Sequence, residues 1–497
     1  MVVQQFTDYV KKMQHYGEAL NVIYWDMRTG APKKGLAQRS EVVGTLSASL
    51  FAMQTSDELG ELLTALEAQQ ADLDDVTRRL VEEVRKNYDQ NKKIPADEYK
   101  EFVILQSKAE TAWEEAKATN NFALFLPYLE EIIQWQKKFI QYWGIKNGSP
   151  YNTLLDLYEP EMTTDVLDQV FGDLRDKIVT LVQKIMTAAK PDTSMLYKHF
   201  PREAQRALSL ELLTQLGYDF EAGRLDESVH PFMIGLNLGD NRITTKYDEH
   251  DFRTAIFGTI HECGHAMYEQ NIDQKLAGLP LATGTSMGIH ESQSLFYENF
   301  VGRNEQFWQH NYERLQHYSP AQFRDVPLAD FLRAINMVEP SFIRIEADEL
   351  TYPLHIMIRY EIERDLFNGD LQAKDLPQIW NDKYEEYLGI RPATDAQGVL
   401  QDMHWSGGMF GYFPSYALGM IYAAQWKHAM DQDIPNFDAL LAKGELLPIR
   451  QWLTEKIHQY GALKKPFELL QEATGEGLNA TYLANYLQDK YTQLYQL

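Results

Sequence analysis

Apolar residues recur at helical spacing through most of this chain. From Asp97 to Ala118, Phe102, Leu105, Ala109, Ala112 and Trp113 fall three or four positions apart among Glu, Lys and Ala. That is the stripe of an amphipathic helix. Phe122–Trp143 repeats it with Leu126, Leu129, Ile132, Ile133, Trp135, Phe139 and Trp143. The same period predicts helices over Thr163–Ala188, Pro201–Leu216, Ser341–Phe367 and Pro448–Tyr460. The Ser341 run would make about seven turns if unbroken. Strand signal is confined to His230–Leu238 and Arg242–Tyr247, two short runs of β-formers separated by Gly239-Asp240-Asn241. Turn chemistry between two such runs predicts a small hairpin just before a helix.

Gly and Pro punctuate the chain at Thr29–Gly35, Lys146–Tyr151, Ala277–Gly288 and Ser406–Pro414. None of these stretches has the length or bias of an interdomain linker, and no internal repeat recurs. The expectation is a mainly α fold, one large helical unit over residues 1–497.

Composition narrows the function. Apolar residues make up 44% and aromatics 12%, so the chain can fill a large core. Against 47 basic residues stand 72 acidic ones, a formal net charge of −25. Phosphate backbones and anionic membranes repel such a surface, so neither nucleic acid nor membrane is an expected partner. The longest apolar stretch, near Tyr416–Ala424, is too short to span a bilayer. The first residues carry no apolar signal-peptide core. Cys263 is the sole cysteine, so no intramolecular disulfide can form. Cytoplasm is the expected compartment.

The sharpest chemical feature is His261-Glu262-Cys263-Gly264-His265. Histidines four apart share one helix face and can grip one zinc ion, while the glutamate after the first can serve as general base to the attacking water. Ile256, Ile260, Cys263 and Met267 form a separate apolar stripe, with Gly258, His261, His265 and Tyr268 on a different face. Cys263 reads as a small buried hydrophobe. A catalytic zinc needs a third protein ligand. A third His six residues after His265 would supply it in a metzincin, but that position is Asn271. Glu291, in the helix-like run after the Ala277–Gly288 loop, is the better source. Glu269 and Glu298 compete with it and read instead as solvated helix carboxylates.

Here the chain resembles the carboxypeptidase Taq family of zinc metallocarboxypeptidases. The resemblance is carried in order by His230-Pro231-Phe232, Asp240-Asn241-Arg242-Ile243-Thr244, the zinc motif, His290-Glu291-Ser292-Gln293, Ile343-Arg344-Ile345-Glu346-Ala347-Asp348, and Gly398 to Trp405. It implies a neurolysin-like helical saddle with a deep groove and a small sheet beside the zinc-motif helix. It implies His261, His265 and Glu291 as ligands, Glu262 as general base, and His230 on the substrate side. It also implies a homodimer that removes C-terminal residues from peptides with broad specificity. Zinc is the implied metal, with cobalt or another divalent ion able to substitute.

Other residues can be weighed on their own chemistry. Arg344, between Ile343 and Ile345, needs a partner: a substrate carboxylate, or else Glu346 or Asp348. Arg242, in the hairpin, is the second candidate for that carboxylate, against an ordinary strand-end ion pair. Asp348 could orient a zinc-bound histidine. His404 taken alone reads as a core residue, whereas the resemblance implies that it faces the groove and contacts substrate; Tyr412 or Tyr416 could donate to an oxyanion from the glycine-rich Ser406–Gly419 segment. Two rival functions share the motif: an oligoendopeptidase, which needs no carboxylate anchor, and a non-catalytic helical metal-binding protein, in which Glu262 would have no task.

Overall fold

The computed structural model describes all 497 residues, and helices take up 68% of them. The expected helical stripes point inward. Ala96–Thr119 buries Phe102, Leu105, Ala109 and Ala116. Phe122–Trp143 buries Leu129, Ile132, Ile133 and Phe139 against it. The two are joined by a tight link in which Asn120 takes the left-handed conformation, φ 53°, as a short polar residue after a helix can. Thr164–Ile185 and Arg202–Leu216 match their expected spans within a few residues. The buried apolar side chains form one continuous cluster from Phe6 to Tyr491.

The sheet has three strands rather than the two of a hairpin. β2 (Met233–Asn237) and β3 (Asp240–Thr245) pair antiparallel as expected, and β1 (Leu225–Glu227) adds in parallel to the far side of β3. β1 reads Leu-Asp-Glu, too short and too charged to show a period of two. The sheet sits against the helix Arg253–Gln270, where the Thr259 hydroxyl donates to that of Thr245 at 3.1 Å. The long N-terminal helix Val2–Arg28 covers the β2 edge: Asn21 Nδ2 donates to the Gly235 carbonyl at 3.4 Å, and Asn237 Nδ2 to Glu18 at 2.8 Å.

The expected Ser341–Phe367 helix is broken. Arg344–Glu346 is a single 3₁₀ turn, and the α-helix begins only at Tyr352 and runs to Asn368. The cause is Asp348. Its carboxylate accepts from the backbone N–H groups of Leu350 and Thr351 (3.0 Å each), from the Thr351 hydroxyl (2.8 Å) and from the Glu339 N–H (3.1 Å). An aspartate bonding the backbone two and three residues on competes with helix and favours a turn or cap. The Pro448–Tyr460 expectation likewise splits, into Leu447–Lys456 and a 3₁₀ stretch His458–Leu463.

Candidate active site

The zinc motif lies on Arg253–Gln270, with Ile256, Ile260, Cys263 and Met267 fully buried beneath it. Tyr268 departs from the expected ligand face: it is fully buried and packs against the His290 and His458 rings. Glu291 lies on a second helix, Met287–Leu295, capped by the Ser286 hydroxyl, which accepts from Ile289 N at 3.0 Å. Buried Glu159 also fixes this helix end, accepting from Gly288 N at 3.0 Å and from the Tyr422 hydroxyl at 2.8 Å.

Two glycines allow three helices to close on Glu291. A Cβ at Gly264 would meet the Gln293 carbonyl and lie 2.6 Å from Ser294 Cα. A Cβ at Gly419, on the helix Pro414–Asp433, would lie 2.7 Å from Glu291 Cγ. No side chain fits at either point. The result is a convergence of donors. Glu291 Oε2 is 3.3 Å from His265 Nε2 and 3.9 Å from His261 Nε2, and the ligand atoms of the three residues all lie within 4.8 Å of one another. Tetrahedral zinc with ligands at about 2.0–2.2 Å sets its donors roughly 3.4 Å apart, so the set fits a divalent metal ion. Glu262 is nearly buried, and burial first, then the charge of Glu291, pushes its carboxyl up to about 7.

Glu298 and Glu269 are not the solvated carboxylates expected. Past Leu295 the helix widens into a π-helical stretch, Phe296–Gly302, a feature frequent at functional sites. It turns Glu298 toward His261, whose Nδ1 lies 2.9 Å from Glu298 Oε2, while Arg303 Nη2 donates to Oε1 at 2.9 Å. Glu298 therefore holds the far nitrogen of the ring and leaves Nε2 for a metal. Burial opposes charge here, but Glu298 and Glu291 lift the His261 ring to about 10, so the donor set favours positive charge at this point. Glu269 accepts from the Thr283 hydroxyl at 3.0 Å and pairs with His290 Nε2 at 3.0 Å; the His290 ring stacks on His265 at 4.5 Å.

The second cluster surrounds Arg344, whose side chain is 7% exposed. Its partner is neither Glu346 nor Asp348 but Asp402, which accepts from Nε at 3.1 Å and Nη2 at 2.9 Å through Oδ1. Nη1 donates to the Tyr352 hydroxyl at 3.0 Å. Arg359 takes the other Asp402 oxygen, Nε to Oδ2 at 2.7 Å. Burial alone would raise the Asp402 carboxyl, but Arg359 and Arg344 outweigh it and hold the group well below the usual carboxylate range. Arginine has five N–H groups. Three are engaged, so Arg344 keeps one on each terminal nitrogen, the fork that a carboxylate grips.

His404, Tyr412 and Tyr416 join this cluster. The His404 ring is 5.5 Å from Tyr412 and 6.3 Å from Tyr416, Tyr412 and Tyr416 are 5.2 Å apart, and Tyr416 lies under Arg344 at 5.0 Å. Burial and then nearby charge, that of Glu291 included, raise the hydroxyls of Tyr412 and Tyr416. The two clusters are thus neighbours. Arg242 is committed elsewhere: Asp240 occupies its Nε and Nη2 at 2.8 and 2.6 Å, an ordinary strand-end pair, and its guanidinium lies 5.6 Å from the Trp25 ring. His230 is exposed, on the loop whose Pro231 approaches Gly258. Asp348 touches no histidine, being committed to the turn before Tyr352. Asp402 lies within the Gly398-to-Trp405 motif, two residues before His404, where nothing local marks it as the partner of an arginine. Arg359 and Tyr352 were hidden in a helical run.

Replacing Glu298 with Ala is expected to weaken metal retention about 10–100-fold, and Glu291→Ala more. Gly419→Ala should act like a mild Glu291 variant, because the new methyl displaces that side chain. Metal content after dialysis against graded chelator measures all three. Parental retention by Glu298→Ala would show that the His261 contact orients nothing.

A family model for the carboxypeptidase Taq (M32) metallopeptidases matches residues 5–491. Carboxypeptidase 1 of Bacillus subtilis strain 168 is 58% identical over 495 residues, 99% of each chain. Thermostable carboxypeptidase 1 of Thermus thermophilus is 41% identical over 482 residues, 95% of this chain and 94% of that one. The solved M32 carboxypeptidase of Deinococcus radiodurans R1 superposes with a TM-score of 0.96 at 35% identity, covering 99% of both chains. With its mainly helical single unit and its small sheet, the chain belongs to the carboxypeptidase Taq (M32) family and is a metallocarboxypeptidase, a peptide hydrolase that works with a divalent metal.

Proposed function

We propose that this enzyme is a zinc carboxypeptidase of broad specificity that removes C-terminal residues singly, with His261, His265 and Glu291 as ligands. The observation that carries the reading is the pairing of two clusters: three convergent metal donors, and beside them a buried arginine with an unused fork. Bound zinc, or cobalt or another divalent ion in its place, supplies Lewis acidity to the scissile carbonyl and the attacking water. Glu262 takes the proton of that water and delivers it to the leaving amine. Its nearly buried carboxyl suits a group that must both accept and release a proton near neutrality. Tyr412, Tyr416 or His404 donates a hydrogen bond to the oxyanion that develops. Arg344 grips the terminal carboxylate and so sets the cleaved bond one residue from the end. Arg242 and His230 would contact the substrate farther along, beside the sheet.

The whole chain acts as one catalytic domain in this reading, and as a homodimer by likeness to the family. A cytoplasmic setting agrees with a single unpaired, buried cysteine. No helix is long and apolar enough to cross a membrane.

Glu262→Gln should abolish nearly all peptidase activity while zinc stays bound in stoichiometric amount, since the amide cannot accept the proton and is no ligand. Full activity in the metal-loaded variant would refute the general-base role.

A peptide with an amidated C-terminus should be cleaved far more slowly than its free acid, whereas N-terminal acetylation should matter little. Removing one partner of a buried arginine–carboxylate pair costs about 2–5 kcal/mol, a loss of about 30-fold or more in kcat/KM. Arg344→Ala should lose as much on the acid and little more on the amide, because both changes delete one interaction. Equal cleavage of acid and amide by the parent enzyme would point to an endopeptidase instead.

A further inference from the structure

The helix Tyr352–Asn368 buries Ile356, Ile358, Ile362 and Leu366, yet along one line it also carries His355, Arg359 and Glu363. Spaced four apart, these three share a face, and all are fully buried. Polar side chains in such a position destabilise a core unless each is bonded, and apolar residues of similar volume would serve stability as well or better.

Each of the three is bonded, although His355 Nε2 has no partner, and most of the bonds lead to the Arg344 cluster or to the His404–Tyr412 segment; the exceptions are the Tyr151 hydroxyl on Glu363 and the His355 carbonyl on Arg359 Nη1. His355 Nδ1 meets the Tyr384 hydroxyl at 2.9 Å, which also accepts from Arg359 Nη1 at 3.3 Å and from Gln401 Nε2 at 3.2 Å. Gln401 Oε1 in turn accepts the backbone N–H of Arg344 at 2.9 Å. Arg359 holds Oδ2 of Asp402 and leaves Oδ1 for Arg344. Glu363 accepts from Trp405 Nε1 at 2.7 Å through one oxygen, and from Gly411 N at 2.8 Å and the Tyr151 hydroxyl at 2.7 Å through the other. Trp405 and Gly411 adjoin His404 and Tyr412. At Gly411, φ is +88° and a Cβ would lie 2.7 Å from the Leu154 carbonyl carbon, so the loop can be held this close only through glycine.

We infer that His355, Arg359 and Glu363 form a buried positioning spine that sets the Arg344 fork and the His404–Tyr412 segment, so that preference for a free C-terminal carboxylate depends on residues that never touch the substrate. This rests on the reading of Arg344 as carboxylate anchor. The physics is one of aim. Arg359 holds Oδ2 of Asp402, which fixes Oδ1 on Nε and Nη2 of Arg344 and so directs the two remaining terminal N–H groups. Without Arg359, Asp402 has no fixed orientation and can turn, with Arg344, into a two-oxygen pairing on the same Nε and Nη2; the free N–H groups stay the same in number but lose their aim at the substrate. Glu363 cannot be replaced by its amide, because Trp405 Nε1 and Gly411 N can only donate. One of them would then face an NH₂ group.

The test compares kcat/KM for a peptide acid and its C-terminal amide, using metal-saturated enzyme. Arg359→Met and Glu363→Gln should each lower the acid-to-amide ratio about ten-fold, chiefly through a raised KM for the acid. Arg359→Lys should recover part of the loss. Tyr384→Phe, which removes only the shared hydroxyl, is the mild variant for the case in which the first two fail to fold; it should lower the ratio without lowering the affinity for metal. A spine that merely held the fold would depress the melting temperature and slow both substrates alike. Ratios unchanged in folded variants, while the parent still discriminates, overturn the spine and leave the anchor standing. A parent that does not discriminate overturns the anchor itself.

Discussion

The convergence of His261, His265 and Glu291, the candidate metal site, depends on how closely three helices approach at Glu291. Gly264 lets the motif helix ride on the Gln293–Ser294 backbone, and Gly419 lets the Pro414 helix rest against the Glu291 side chain. Backbone contact of this kind leaves little freedom to slide, because packed interiors deform poorly. The carboxylate is therefore fixed by main-chain positions. The same approach decides the neighbours: once the Met287 helix lies against the motif helix, its π-helical continuation brings Glu298 to the far nitrogen of His261. Glu291 and the carboxylate that holds His261 come from one continuous segment.

The substrate side is built on the opposite economy. Little of it is backbone contact. It depends on buried charge, with Asp402 between Arg344 and Arg359, and Glu363 a turn farther along. Breaking such a pair by removing one member is costly, since it strands the other. In the proposed reading, a carboxypeptidase needs an arginine that its own protein satisfies incompletely, so that the substrate completes it. The two unused N–H groups of Arg344 would be that incompleteness.

How much of this the sequence disclosed follows from what carries each feature. Helical stripes and the His-Glu-x-x-His spacing are local periodicities: four of the six expected helices stand near their predicted spans, two are broken, and the motif lies on one helix. Glu291 was reachable through a loop, a following helix and a family likeness. Glu298 was misread because a π-helical turn leaves no periodic mark, so its carboxylate looked like any other on a helix surface. The break after Ser341 carries no Gly or Pro signal before Pro353, and a single side chain, Asp348, makes it by competing for the backbone. Arg359 and Glu363 were legible in principle. Two charged residues four apart, on a face otherwise of Ile, Leu and Phe, contradict an amphipathic reading and ask for buried partners. The partners lie some forty residues away in sequence, and only the fold could supply them.

The net charge of −25 stands at odds with a substrate that ends in a free carboxylate. The conflict dissolves once range is considered. Surface charges act through water and are screened within about 8 Å at physiological ionic strength. The Arg344 cluster is nearly buried, in a low dielectric where attraction to a carboxylate is far stronger per contact. In the proposed reading, acidic repulsion therefore acts on polyanions at a distance, while the cationic pair around Asp402 acts on a chain end already within reach. A free C-terminus carries one such charge and is drawn in at short range. A nucleic acid, carrying one per nucleotide along its whole length, meets the surface everywhere and gains a single favourable contact in return.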